Sequence, residues 1–138
     1  MIVKDEQAML VAGQNLAKQL QPGMLVFLQG DLGAGKTTLV RGVLRGMGYQ
    51  GSVKSPTYNL VESYTINEQQ VFHFDLYRLM DEEELEYMGM RDYLSSDSIC
   101  FIEWPDKGAG YLPKPDMLIK ININAEQREL LISTCEKA

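Results

Sequence analysis

Eight consecutive residues, Gly30-Asp31-Leu32-Gly33-Ala34-Gly35-Lys36-Thr37, are spaced to hold an anion. They fit G-x-x-x-x-G-K-[ST] without a mismatch. Glycines let successive backbone N–H groups turn inward around phosphate oxygens, in conformations that a Cβ would often forbid. A helix starting at Lys36 would aim about half an elementary charge at the same point. The Lys36 ammonium can neutralise β- and γ-phosphate oxygens, and the Thr37 hydroxyl can ligate Mg²⁺. A random chain of this length carries the pattern at roughly the half-percent level, so a nucleotide site outweighs a chance glycine turn. Asp31, Leu32, Gly33, Ala34, Gly35, Lys36, Thr37 and Thr38 are accordingly expected to contact ATP.

Such a loop works with a carboxylate at the end of a neighbouring strand, which holds Mg²⁺ directly or through water. Asp75 ends the run Val71-Phe72-His73-Phe74, and Glu103 ends Ile99-Cys100-Phe101-Ile102. Each is an apolar run delivering one acid to its tip. One carboxylate reads as the metal ligand and the other as a water-orienting or second base; spacing does not say which. Ser55-Pro56-Thr57-Tyr58 is a turn rich in hydroxyls, where Thr57 could sense γ-phosphate as ordered switch loops do. His73, the only histidine, lies in an apolar strand and reads as a structural, hydrogen-bonded residue rather than a catalytic one. Trp104-Pro105 reads as a core cap, and Cys100 and the eight methionines as packing. The acidic run Asp81, Glu82, Glu83, Glu84 and Glu86 reads as a solvated helix face, with docking of a basic partner as the alternative.

The elements that must position these groups follow from periodicity. Met9, Ala12, Leu16 and Leu20 recur at helical steps, predicting a helix over Asp5 to Leu20, capped by Asp5 and stopped by Pro22-Gly23. Met24 to Leu28 is an unbroken apolar run, suited to a strand buried on both faces of a parallel sheet. Lys36 to Met47 reads as a helix ending near Gly48. Tyr58 to Ile66 and Gln70 to Asp75 read as a hairpin around Asn67-Glu68-Gln69. Asp81 to Met88 reads as a helix capped by Asp81, and Ser98 to Glu103 as a second buried strand. Gly108 to Pro115 is a loop, and Asp116 to Asn122 and Glu129 to Thr134 are closing strands. With no repeat or linker, residues 1–138 are expected to form one domain: a P-loop NTPase-like, three-layer α/β/α fold whose central sheet is mostly parallel, with added antiparallel strands.

Composition bounds the function. Of 138 residues, 45% are hydrophobic and 23% charged, as in an ordinary globular protein. Thirteen basic against 19 acidic residues give a net charge of −6, which disfavours a broad grip on nucleic acid. No apolar run approaches the ~20 residues of a membrane helix, and no signal-peptide pattern is present. The two distant cysteines form neither a disulfide framework nor a metal-ligand spacing, so reduced thiols in a cytoplasmic protein are expected. The chain lacks the N-K-x-D element with which GTPases read guanine. Only Arg91 and Arg128 follow Arg78, so an arginine lid of the small-molecule kinase type is hard to place.

Gly30 to Thr38 (GDLGAGKTT), Val53 to Tyr58 (VKSPTY), His73 to Leu79 (HFDLYRL), Glu84 to Tyr93 (ELEYMGMRDY) and Ile102 to Trp104 (IEW) together resemble the TsaE family, formerly YjeE. These are bacterial ATPases of tRNA threonylcarbamoyladenosine biosynthesis. The resemblance runs from about Asp5 to Arg128; relatives often carry Pro at the position of Glu82. It implies a cytoplasmic protein that binds ATP and Mg²⁺, hydrolyses slowly alone, and acts on the TsaD–TsaB complex. That complex modifies the adenosine next to the anticodon, so contact with tRNA would be indirect. The resemblance also implies Thr37 and Glu103 as Mg²⁺ ligands, Asp75 as the catalytic or water-mediated carboxylate, and Thr57 at the switch-like position. Glu6 and Arg128 would contact nucleotide. The rival expectations are a small-molecule kinase, and an ATP-gated binding module in which hydrolysis is incidental.

Overall fold

Seven strands form one sheet in the order β1-β7-β6-β2-β5-β4-β3, in a computed structural model that describes residues 1–95 and 97–135. The strands are β1 (Ile2–Val3), β2 (Leu25–Gln29), β3 (Val61–Ile66), β4 (Gln69–Asp75), β5 (Ile99–Glu103), β6 (Met117–Asn124) and β7 (Gln127–Thr134). At the centre β2 runs parallel to both β5 and β6, and β4 parallel to β5. The outer pairs β3–β4, β6–β7 and β1–β7 are antiparallel. The fold class is that expected from the apolar runs: β5 is buried at every position, and β2 is buried at three of five.

Alternation along the central strands feeds two cores. Val26, Leu28, Ile99 and Phe101 face α1 (Glu6–Ala17) and α2 (Lys36–Met47), where Met9, Leu16, Leu39 and Val43 are buried. Leu25, Cys100 and Ile102 face the other way, against Leu85 and Met90 of α3 (Glu83–Tyr87) and α4 (Met90–Ser95). Helices therefore cover both faces, giving three layers. Burial of each such side chain stabilises the fold by about 1.5–3 kcal/mol. Helices α1 and α2 cross with backbones almost touching: a Cβ on Gly42 would lie 2.4 Å from the Leu10 carbonyl oxygen, and one on Gly13 at 2.4 Å from that of Leu39.

Several element ends differ from expectation, each for a local reason. Asp5 caps α1 as expected, accepting from the Ala8 amide at 2.8 Å. The helix stops at Ala17 instead of Leu20, because Lys18, Gln19 and Leu20 bond to carbonyls three residues back and tighten the last turn. Strand β2 is shifted by one residue, Met24 lying in the preceding turn. Strand β3 begins at Val61, not Tyr58, since Leu60 has φ 62° and the segment before it is turned. The β3–β4 loop contracts to Asn67-Glu68, both at positive φ, as two-residue hairpins require. The helix expected over Asp81 to Met88 is shorter, Glu83–Tyr87, and Gly89 at φ 78° turns the chain into a further helix, α4, that the sequence reading did not expect. The capping residue of α3 is Glu82, although the Asp81 carboxylate still accepts from the Glu83 amide at 3.0 Å. A 3₁₀ turn over Pro105–Gly108 leads into the loop expected over Gly108 to Pro115. Strand β1, too short for a periodic signal, is held by pairing to Arg128 and Glu129.

Candidate functional site

Strand β2 carries the chain out of the sheet into residues 30–35, and α2 starts at Lys36. Gly33 and Gly35 take φ of 81° and 109°, where L side chains are strained, so the motif's glycines answer a backbone requirement. The parallel ladder sets the other wall. Asp75 and Glu103 are directly paired in the register of β4 and β5, so both acids leave the sheet at the same edge. Leu32, Gly33, Gly35, Lys36, Thr37, Thr38, Ser55, Thr57, Asp75 and Glu103 line one cavity of about 290 Å³.

Its charged groups are buried and interlocked. Lys36 is 5% exposed, Asp75 5% and Glu103 4%. The Lys36 ammonium donates to the Gly30 carbonyl at 2.6 Å, lies 3.5 Å from Glu103 Oε1, and stands over the Trp104 ring at 4.6 Å from its centroid. Buried ions demand such pairing. Asp75 Oδ2 accepts from the Thr57 hydroxyl at 3.4 Å, and Oδ1 from the Tyr77 amide at 3.0 Å. The Thr57 hydroxyl also pairs with that of Ser55 at 2.7 Å. The turn bearing them is fastened from β3, where the Tyr64 hydroxyl accepts from the Lys54 amide at 3.1 Å; burial raises the Tyr64 pKa above its ordinary value.

Glu6 and Arg128 are not in this cavity. They line a second one, of about 220 Å³, with Asp5, Met9, Ala34 and Glu126, and the two hollows share Gly33, Gly35 and Thr38. Glu6 pairs with Arg41 at 2.7 Å. The Arg128 guanidinium reaches from β7 to donate to the Ala34 carbonyl at 3.2 Å and to that of Gly33 at 3.4 Å. Asp31 lies in neither: it is exposed beside a separate hollow of about 500 Å³ lined in part by Gly30, Trp104 and Lys120.

His73 is buried and hydrogen-bonded as expected, but it, Trp104 and Ser55 make contacts in the site that the sequence reading did not specify. His73 is fully buried, and its Nε2 is 2.5 Å from Glu103 Oε2; its place two residues before an acid at a strand tip was the available signal. Trp104 provides an aromatic face to the loop lysine, which adjacency to Glu103 foreshadows. Ser55 joins the cavity through Thr57. In the acidic run, Glu84 accepts from the Met80 amide at 2.9 Å and Glu82 from the Gly110 amide at 3.0 Å, so part of that run is internal structure. Cys100 is confirmed as packing: it is buried, and burial pushes its thiol up to about 12, far from a nucleophile's range.

The donor set suits a hard cation beside phosphate. Thr37, Asp75 and Glu103 present only oxygen to the cavity, as Mg²⁺ prefers, while Lys36 supplies a point charge for an anion. Among the described residues no helix is long and apolar enough to cross a membrane.

Residues 3–130 match the profile of the family described as threonylcarbamoyl adenosine biosynthesis protein TsaE. The chain is similar to the tRNA threonylcarbamoyladenosine biosynthesis protein TsaE of Haemophilus influenzae, with 53% identity over 133 residues, 93% of this chain and 84% of that one. It is 34% identical to the protein of the same name from Bacillus subtilis over 111 residues, 80% of this chain and 69% of the relative. In three dimensions the crystal structure of YdiB from Bacillus subtilis superposes with a TM-score of 0.82, covering 97% of this chain and 83% of that one at 24% identity.

Proposed function

The chain belongs to the TsaE family, and from that premise we propose that it is a Mg²⁺-dependent ATPase of tRNA N6-threonylcarbamoyladenosine formation. In this reading it works in the cytoplasm on the TsaD–TsaB complex, which modifies the adenosine next to the anticodon. The observation that carries the reading is the convergence of Lys36, Thr37, Thr57, Asp75 and Glu103 on one cavity at the end of a glycine-rich loop.

The roles follow from what each group touches. Residues 33–38 cradle the phosphates, and Lys36 neutralises β- and γ-oxygens from a buried position. Thr37 and Glu103 would hold Mg²⁺, which when bound neutralises charge on the phosphates. Asp75, held at both oxygens by Thr57 and the Tyr77 amide, orients the attacking water. Thr57 couples that carboxylate to the turn over residues 55–58, so the turn can respond to the γ-phosphate. Glu6 and Arg128, on the far side of the loop, bound the space for the nucleoside end. Three of the five arginines are already committed, which leaves little for a kinase lid: Arg41 is paired with Glu6, Arg128 with loop carbonyls, and Arg45 with the Tyr49 and Gly51 carbonyls.

Phosphate release from ATP, measured for the chain alone and then with TsaD–TsaB and tRNA, tests the reading. Slow Mg²⁺-dependent release that rises on adding the partners is expected. Transfer of phosphate to an acceptor, or failure to bind ATP, would overturn it.

A further inference from the structure

His73 needs an explanation that packing does not provide. It lies in β4 between Phe72 and Phe74, opposite Phe101 on β5, and is fully buried. Its Nε2 is 2.5 Å from Glu103 Oε2. The acceptor is a carboxylate oxygen, so the ring donates through Nε2–H. Nδ1 is buried with no hydrogen-bond partner among the described residues. An unpaired buried polar atom is destabilising and rare in native proteins. A phenylalanine would fill the same volume in this apolar strand without that penalty. The histidine is therefore accounted for by what its other nitrogen does.

Its other nitrogen divides the Glu103 carboxylate into two differently committed oxygens. Oε2 is taken by His73, and Oε1 is turned toward Lys36 Nζ at 3.5 Å. Without the imidazole, the carboxylate is free to rotate about its last torsion and place either oxygen on the ammonium. The next residue, Trp104, is in the left-handed region at φ 56°, so the backbone turns sharply just beyond Glu103.

Resting on the ATPase reading above, we propose that His73 is a positioning residue: it fixes Glu103 so that Oε1 alone faces the divalent cation accompanying the nucleotide. Contacts of this kind behind a metal ligand typically govern 10–100-fold in metal affinity.

The test is calorimetric binding of ADP across a series of Mg²⁺ concentrations, and again without Mg²⁺. His73→Asn, whose amide is too short to reach Glu103, and His73→Phe, which fills the space without a donor, should each raise the Mg²⁺ midpoint about 10-fold or more. Affinity for ADP without Mg²⁺ should stay at the wild-type value. His73→Gln, whose amide nitrogen falls near the Nε2 position, should recover most of the loss. In a Glu103→Gln background, His73→Phe should produce no further shift. An unchanged midpoint in a folded His73→Phe variant overturns the proposal. So does an equal loss with and without Mg²⁺, which marks a merely structural role. Failure of the wild type itself to bind ADP would instead overturn the nucleotide reading on which this one rests.

Discussion

The hollows on either side of residues 33–38 are built on opposite principles. In the one holding Lys36, Asp75 and Glu103, every charged wall is buried, and each acid is held at both oxygens by definite partners. In the one holding Glu6 and Arg128, the charged groups are exposed or half-buried, and their partners are a surface arginine and loop carbonyls. Burial forces definite pairing on the first, since an unpaired ion there is severely destabilising. Solvent relieves the second of that requirement, so its contacts tune rather than determine. Chemistry that depends on placement belongs in the first hollow, and adaptable recognition in the second.

Substitutions on the two sides should therefore differ sharply in size. Asp75→Asn keeps the shape and removes the charge. Turnover should fall by about 10²–10⁴-fold, the usual contribution of a positioned base, while ATP affinity stays near wild type. A variant that supports tRNA modification without hydrolysis would make the chain an ATP-gated binding module. Lys36→Ala removes charge-assisted contacts worth about 1.5–3 kcal/mol each, and should weaken ATP binding by at least about tenfold in equilibrium titration. Normal binding and turnover by Lys36→Ala would erase the contrast altogether. Across the loop, Arg128→Ala should weaken nucleotide binding by only about fivefold, near 1 kcal/mol, because its carbonyl partners can turn to water. Glu6→Ala breaks an exposed ion pair worth about 0–1 kcal/mol, so thermal stability should barely change. An effect of Glu6→Ala rivalling that of Lys36→Ala would invert the comparison.

Buried groups in the two cores set the mildest test. Cys100 keeps its proton in the fold up to about pH 12, while the unfolded chain releases it near the ordinary thiol value of 9. Above that value the folded state binds more protons than the unfolded one, so stability falls as pH rises from about 9 toward 12. Tyr64, also raised by burial, acts in the same direction at higher pH. Denaturant midpoints across this range should fall less steeply for Cys100→Ala than for wild type.

What was legible in the sequence was whatever local chemistry dictates. The loop over Gly30 to Thr37 has a fixed composition, and apolar runs ending in Asp75 and Glu103 announce buried strands with an acid at the tip. The parallel centre and antiparallel edges followed from those runs and from a short polar hairpin loop. Contacts between distant segments were not legible. Pairing of Ile2–Val3 with β7 depends on a partner more than 120 positions away. The position of His73 near a strand tip places it by the site, but its partner Glu103, 30 residues on, could not be named from sequence. The glycines of α1 and α2 read as weak helix formers until the crossing shows that a side chain would collide with the opposite backbone. Division of the acids at 82–86 between solvent and internal bonds likewise depends on Gly110, far along the chain.

Since Asp75 and Glu103 occupy paired rungs of adjacent strands, the gap between them is measured by the ladder itself, about 4.8 Å from backbone to backbone. Loops can lengthen, drift or be exchanged around this ruler without altering the interval at which the two acids meet a phosphate. A single-residue insertion inside either strand would do the reverse: it would leave most of the architecture standing and swing one of the pair to the wrong side of the sheet.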